Sequence, residues 1–321
     1  MRSFAFISMR SMLAGAGLLA ALFPAQASDL VIAMPNWASG QATANILKVA
    51  IAEKFGLEAK VRELGTLTAF AGLDSGEVDI HPEVWRPNLD DLIRRYEIDK
   101  GSVVVSLVGV PAWQGLCATP EAAEEVGITD VADLNDPAKT AALDTDGDGR
   151  GELWIGAPNW SSTGIERVRA HSYGYAKNLA LVEVEEEIAM AAVDAAVAIG
   201  RPMVFACRAP HHLFKLHDVI RLKEPAHERA KWNIVSADDP LWISKSSAPV
   251  AWGLSHYHVA WSSSFAEKHP EVAAFLDRVN LRPYEVIAMT YALQVDREDP
   301  YEFAKAWVAE HGNRVDEWMK R

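Results

Sequence analysis

Cysteine is almost missing from this chain: Cys117 and Cys207 are the whole supply in 321 residues. Two thiols exclude a disulfide framework. In an oxidising compartment they can pair with each other; otherwise they are small buried apolar residues. Long apolar runs are equally scarce, and past the amino-terminal region no stretch approaches the roughly 18 apolar residues of a membrane span. Positive charge is short too. The chain has 31 Lys and Arg against 44 Asp and Glu, a formal net charge of −13, which argues against nucleic acid and anionic membrane surfaces as partners. Catalytic signatures are lacking: there is no Gly-x-Ser-x-Gly, Cys-x-x-Cys or His-Glu-x-x-His, and the histidines do not fall at metal-ligand spacing. Glu166 and the run Glu183–Glu187 read as helix-surface charge. No residue is assigned a catalytic role and no enzyme is expected.

The chain does begin with an address. Arg2 and Arg10 precede an apolar run from Met12 to Phe23, and Ala25-Gln26-Ala27 has the small-x-small pattern of a cleavage site. Residues 1–27 therefore read as a secretory signal peptide cut after Ala27, and the processed chain as a soluble periplasmic protein. Removing the leader takes away two basic residues and leaves the remainder more acidic still.

The most informative feature is a phrase written twice. Leu30-Val-Ile-Ala-Met-Pro-Asn-Trp37 and Leu153-Trp-Ile-Gly-Ala-Pro-Asn-Trp160 each run from a strand pattern through Pro-Asn to Trp. Small residues then open a helical pattern. In open α/β sheets, ligands sit beyond the carboxyl ends of strands, beside helix N-termini. Two such units predict two lobes, each offering an indole to a ligand between them. The β-α-β-α-β rhythm from Leu30 to Trp85 indicates a doubly wound sheet. Val103–Val110 is expected to cross into a second lobe and Ala248–His258 to return, with a helical C-terminal region after it. The fold class expected is α/β, with lobe one at 28–110 plus 251–321 and lobe two at 111–250.

Several phrases carry a resemblance. Ser75-Gly-Glu-Val-Asp-Ile-His-Pro-Glu-Val-Trp85-Arg-Pro87, the Asp-rich loop from Leu143 to Gly149 ahead of Pro158-Asn-Trp160, and Gly200-Arg-Pro-Met-Val-Phe205 with Ala209-Pro-His211 resemble segments of the glycine-betaine/choline-type substrate-binding proteins of ABC transporters. The tail from His269-Pro-Glu to Trp318 is similar to their helical C-terminus. The resemblance implies a two-lobed periplasmic binding protein of type II topology, each lobe a doubly wound sheet flanked by helices. It implies a monomer that closes on a betaine, choline or trimethylamine N-oxide and presents it to an inner-membrane permease, with no cofactor required.

A trimethylammonium group offers no hydrogen-bond donor and a diffuse charge, so aromatic faces hold it best, at roughly 0.5–2 kcal/mol per face. Three or four faces supply a large share of the roughly 8 kcal/mol of a micromolar complex. Among eleven Trp, Trp154, Trp307 and Trp318 read as core, Trp242, Trp252 and Trp261 as core or hinge packing, and Trp232 as a loop anchor. Trp37, Trp85 and Trp160 follow apolar runs and precede helix starts, where indoles line a cleft, and Trp113 resembles a wall position of the choline-type branch. Ser161 and Ser162 offer main-chain N–H groups at a helix start for an anionic end, or serve as an ordinary N-cap. Arg208 stands where many relatives have a cage Trp. Either it grips a carboxylate, favouring a betaine, or it turns outward. The His that serves the carboxylate in some relatives is Leu89 here, with Asn88 a candidate replacement; His211 and His212 read as surface residues. Finally, Asp144, Asp146 and Asp148 alternate as in the first half of a calcium loop, with Glu152 near enough to close the shell, but Ile155 stands at the twelfth position. A structural calcium site and an Asx-rich turn both fit.

Overall fold

The computed structural model describes residues 30–320; the expected cleavage after Ala27 lies outside them. Ten strands form one continuous, curled sheet. In chain order they are β1 Leu30–Met34, β2 Ala59–Glu63, β3 Ile80–Arg86, β4 Val103–Val105, β5 Val110–Ala118, β6 Gly151–Gly156, β7 Leu179–Glu183, β8 Val204–Ala209, β9 Ile220–Arg221 and β10 Ser255–Ser262. The path across the sheet is β2-β1-β3-β10-β5-β8-β6-β7, with β4 added to β10 and β9 to β5. At one end β1 runs parallel to β2 and β3; at the other β6 runs parallel to β7 and β8. Parallel strands need crossover helices, which cover both faces and bury the strands as apolar runs. β3 shows this: every residue from Ile80 to Trp85 is buried.

The middle of the sheet is antiparallel, and β5 joins its halves. Val110, Pro111 and Ala112 pair with β10, whereas Trp113 to Ala118 pair with β8. The crossing strand is thus β5 and not a run from Val103 to Val110. That run breaks because Leu107 and Val108 are exposed and Gly109 lies beneath the His258 ring, where a Cβ would fall 2.5 Å from Cε1. The return crossing, β10, begins at Ser255, later than expected. Cys117 and Cys207 form a disulfide between β5 and β8, with Cα atoms 5.7 Å apart.

Separate cores back the two halves. The larger packs the helix Ala38–Phe55 against the C-terminal helices Pro283–Gln294 and Pro300–Glu310, with Trp307 and Trp318 stacked at 6.0 Å. Leu116, Leu153, Tyr175, Leu179 and Val204 centre a core in the other half. Trp154 and Trp261 are buried, as expected of core residues, and Trp252 is too. No helix among the described residues is long and apolar enough to cross a membrane.

Two readings of surface charge are corrected here. Glu166 is buried: it pairs with the fully buried Arg169 at 3.1 Å and accepts the Trp252 indole N–H at 2.6 Å. Arg169 also reaches Glu224 and the Val250 carbonyl. The Glu183–Glu187 run is not one helix face. Glu183 ends β7 and accepts from Nε and Nη2 of Arg167, while Glu186, in the helix Glu186–Ala198, is buried. Charge spacing along a chain does not reveal partners such as Trp252 and Glu224 that other parts of the fold supply.

Candidate ligand-binding cleft

Both Pro-Asn-Trp phrases build the same local device. Trp37 is the N-cap of Ala38–Phe55 and Trp160 the N-cap of Ser161–Tyr173, each with extended backbone and no side-chain capping bond. An indole in place of the usual Ser, Thr, Asp or Asn leaves the first-turn N–H groups open. The two helix starts face each other, and the Trp37 and Trp160 rings meet edge to face with centroids 6.1 Å apart. The Trp160 indole N–H donates to Asn36 Oδ1 at 3.3 Å, and Asn36 Nδ2 donates to Glu185 at 2.5 Å. Each Pro-Asn-Trp turn therefore touches the other.

Between them lies a cavity of about 40 Å³ lined by Trp37, Thr66, Trp85, Asn88 and Leu89 on one side and Gln114, Trp160, Ser161, Ser162 and Arg208 on the other. The sequence-predicted residues Trp37, Trp85, Trp160, Ser161, Ser162 and Arg208 are thus brought together, with Asn88 and Leu89. Trp113 is not. The β5–β8 register sets Gln114 opposite Arg208 and Trp113 opposite Ala209. Cross-strand partners share a face and neighbours along a strand take opposite faces. Gln114 therefore enters the cleft, whereas Trp113 packs on Phe214 at 5.2 Å and beneath the Arg221 guanidinium at 4.5 Å. Asn88 and Gln114 exchange two amide hydrogen bonds of 2.9 Å, and Gln114 also donates to Ser255 Oγ.

One wall is negative. Glu83 lies where the register of β3 against β10 shifts, between Val84 opposite His258 and His81 opposite Ala260, and it is completely buried behind the aromatic wall. Its Oε2 accepts the Trp37 indole N–H at 2.6 Å, the Ser39 hydroxyl at 3.2 Å and the Trp85 indole N–H at 3.2 Å. Burial pushes this carboxyl up to about 7, against the pull of those donors and of Arg208. Trp85 lies on Tyr257 at 5.0 Å. Gly40 completes the fit: a Cβ there would come within 2.9 Å of Pro35 Cγ and of the Trp37 indole nitrogen.

The other wall is positive. The Arg208 guanidinium sits 4.6 Å from the Trp160 ring centroid and 6.0 Å from that of Trp85. Its Nη2 pairs with Glu186 at 2.6 Å, and no described residue accepts from its Nε or Nη1. Although buried, Glu186 is held down to about 2 by the charge of Arg208 and by His211. Gln294 donates to the second Glu186 oxygen at 3.0 Å. His211 and His212, read as surface residues, are buried beside this pair, and the His212 main-chain N–H donates to Thr290 Oγ1. Ser161 is the first residue of its helix and not its cap. Among the described residues, nothing accepts from the main-chain N–H groups of Ser161 and Ser162. A second cavity of about 30 Å³, lined also by Trp154 and Trp252, shares Gln114, Trp160, Ser162 and Arg208 with the first.

Glu83, Gln114 and Thr66 were missed from the sequence. Glu83 had a signal: an acidic residue two places before a cleft Trp, inside an apolar strand, needs a buried partner. Gln114 had none without the strand register. Elsewhere, Asp144, Asp146, Asp148 and Glu152 bring ligand oxygens within 4.8 Å of one another. Asp144 accepts main-chain N–H groups of Gly147 and Gly149 at 2.7 and 2.8 Å, and Glu152 accepts that of Thr145 at 2.7 Å. Those bonds are what an Asx-rich turn provides, and the loop sits at the amino end of β6, away from the cleft at its carboxyl end.

The halves of the sheet, the strand that passes between them and the cleft at the strand ends define a two-lobed periplasmic binding protein of type II topology. The profile of the substrate binding domain of ABC-type glycine betaine transport systems matches residues 28–310, and the chain belongs to that family. It is 21% identical over 268 residues to the glycine betaine/proline betaine-binding periplasmic protein of Salmonella typhimurium, covering 81% of this chain and 80% of that one. Its counterpart in Escherichia coli is 22% identical over 267 residues, covering 81% and 79%. Among solved structures, an ABC-transporter choline binding protein in complex with choline superimposes with a TM-score of 0.71 at 21% identity, covering 91% of each chain. Lactococcal OpuAC in its closed form with glycine betaine gives 0.69 at 19%, covering 91% of this chain and 99% of that one.

Proposed function

We propose that this protein captures a methylated-ammonium compound carrying a carboxylate, glycine betaine in kind, and delivers it from the periplasm to an ABC permease. The observation that carries the reading is the opposition of charge across one aromatic cleft. Glu83 lies behind Trp37 and Trp85, while Arg208 and the open amides of Ser161 and Ser162 lie on the other side. A zwitterion matches this in one orientation, with the methylated head among Trp37, Trp85 and Trp160 and the carboxylate towards Arg208 and the amides of Ser161 and Ser162. In this reading lobe one comprises 28–110 with 251–321, and lobe two 111–250.

The cavity has room for a few waters, taking about 10–15 Å³ for each, and less than a betaine requires. The Arg208 guanidinium already occupies the face of Trp160. Binding is then an exchange of cations over that ring: the ligand's ammonium replaces the guanidinium, and its carboxylate receives the guanidinium's free N–H groups. An Arg–carboxylate bond is charge-assisted and directional. Choline has no anionic end to receive Arg208 and leaves it uncompensated apart from Glu186. Contacts across the cleft, such as Asn36 with Trp160, then close the lobes over the ligand by population shift.

Calorimetric titration with glycine betaine, choline, a carnitine-type ligand and trimethylamine N-oxide tests the proposal. Micromolar binding of betaine with weaker binding of choline is expected. A preference for choline would assign the cleft to the alcohol, and silence with every ligand would overturn the substrate class.

A further inference from the structure

Glu83 is a costly residue to place where it is. A buried carboxylate without a full set of donors loses several kcal/mol of hydration, yet among the described residues Oε1 of Glu83 has no hydrogen-bond partner. Its other oxygen accepts from two different indoles and a serine. Either indole could be anchored by a neutral amide or a main-chain carbonyl, as Trp154 is by the Val184 carbonyl. Anchoring alone therefore does not call for an acid.

We propose that Glu83 is a specificity-determining residue that makes the aromatic cleft demand a cation, acting through Trp37 and Trp85 rather than by touching the ligand. The inference rests on the cleft being a methylated-ammonium site. An anion accepting the indole N–H polarises each ring and enriches the faces turned to the cavity, which strengthens a cation–π contact. The same negative charge, screened only by protein, attracts the ammonium directly. A ligand of identical shape with carbon in place of nitrogen gains from neither.

The neighbours of Glu83 bear on when it is charged. From β8 comes Arg208, whose charge acts on it from across the cleft. From β10 comes the Tyr257 phenol, buried and pushed well above its ordinary value, hence neutral. His81, two residues before it on β3, receives the Glu83 main-chain N–H on Nδ1 and is lowered by burial to about 4, hence neutral as well. The helix Ala38–Phe55 contributes Trp37 and Ser39, which do not titrate. With Glu83 itself near 7, a cation arriving on the indoles favours its ionised form and expels a proton. Affinity for betaine then rises as pH increases through neutrality.

The decisive comparison sets glycine betaine against 3,3-dimethylbutyrate, its neutral-headed carbon isostere, on the unaltered protein and on Glu83→Gln, between pH 6 and 8. Glutamine keeps the size and can accept an indole N–H. In Glu83→Gln the preference for betaine over the isostere should fall about tenfold, with affinity for the isostere little changed and the pH slope lost. Calorimetry in two buffers of different ionisation enthalpy should show proton release for the unaltered protein and none for the variant. Ser39→Ala removes one donor to the carboxylate and should move the midpoint of the pH profile upward, an independent reading should Glu83→Gln melt early. An unchanged preference and slope in a folded Glu83→Gln overturns this inference alone. Failure of the unaltered protein to bind betaine at any pH overturns the cleft assignment with it.

Discussion

The two Pro-Asn-Trp turns share a phrase and differ in what surrounds it. At Trp37 the indole N–H is turned inward to a buried carboxylate, the next serine serves that carboxylate too, and Gly40 packs against the ring. At Trp160 the indole N–H is spent on Asn36 from the opposite lobe, the two serines that follow keep their amides open, and a guanidinium lies over the ring. At one copy the indole N–H is turned away to a buried acid; at the other the serine amides stand open beside a guanidinium. Duplicated local structure has thus been given opposite electrostatics by residues from other strands, Glu83 on β3 and Arg208 on β8.

The comparison can be broken most forcefully at the rings. Trp85→Ala should weaken betaine about a hundredfold, because it removes a face and exposes Glu83; titration of the variant checks this, and a loss of less than tenfold would deny Trp85 a central place. Next in size, Arg208→Ala should cost glycine betaine about tenfold to a hundredfold, the range of a charge-assisted hydrogen bond. Choline should lose little, or gain once the competing guanidinium is gone. Equal losses for both ligands would remove the anion-binding role.

The two buried acids should part company in stability. Glu83, raised from 4.5 to about 7, contributes stability that is complete below its unfolded value and lost as pH rises through 7. Glu186, lowered from 4.5 to about 2, contributes stability present above its unfolded value and lost as pH falls through 2. Melting temperatures across pH should therefore respond to Glu83→Gln between about pH 4.5 and 7, and to Glu186→Gln below that range. The smallest effect belongs to Trp113→Phe, about twofold at most on affinity, the range of a change outside the site. A larger loss would return Trp113 to the cleft.

Much of this was readable in the residues. The strand-Pro-Asn-Trp-helix phrase located two helix starts and two indoles because local rules govern both, and β1 was found to its ends. Where pairing partners decide, the chain was mute. Trp113 and Gln114 are adjacent, and only the β5–β8 register says which enters the cleft. Glu186, His211 and His212 looked like surface groups because Arg208 arrives from another strand, and Glu166 did because Trp252 and Glu224 close over its pair with Arg169 from elsewhere in the fold. Glu83 was passed over because a carboxylate beside two indoles in sequence does not show that it sits behind them in space.

The Cys117–Cys207 bond has a consequence for this asymmetry. The chain it encloses, a separation of 90 residues, contains Trp160, Ser161 and Ser162, and the knot is tied at the residue immediately before Arg208. The open amides that would greet the ligand's negative end thus belong to one covalent ring, with Arg208 one residue beyond it, and by the chain-entropy view that ring removes roughly 4–5 kcal/mol of freedom from the unfolded protein. The indoles of the opposite wall, Trp37 and Trp85, are held by packing and hydrogen bonds alone. A reductant should therefore fall unequally on the two jaws, slackening the grip on the carboxylate before the grip on the methyl groups.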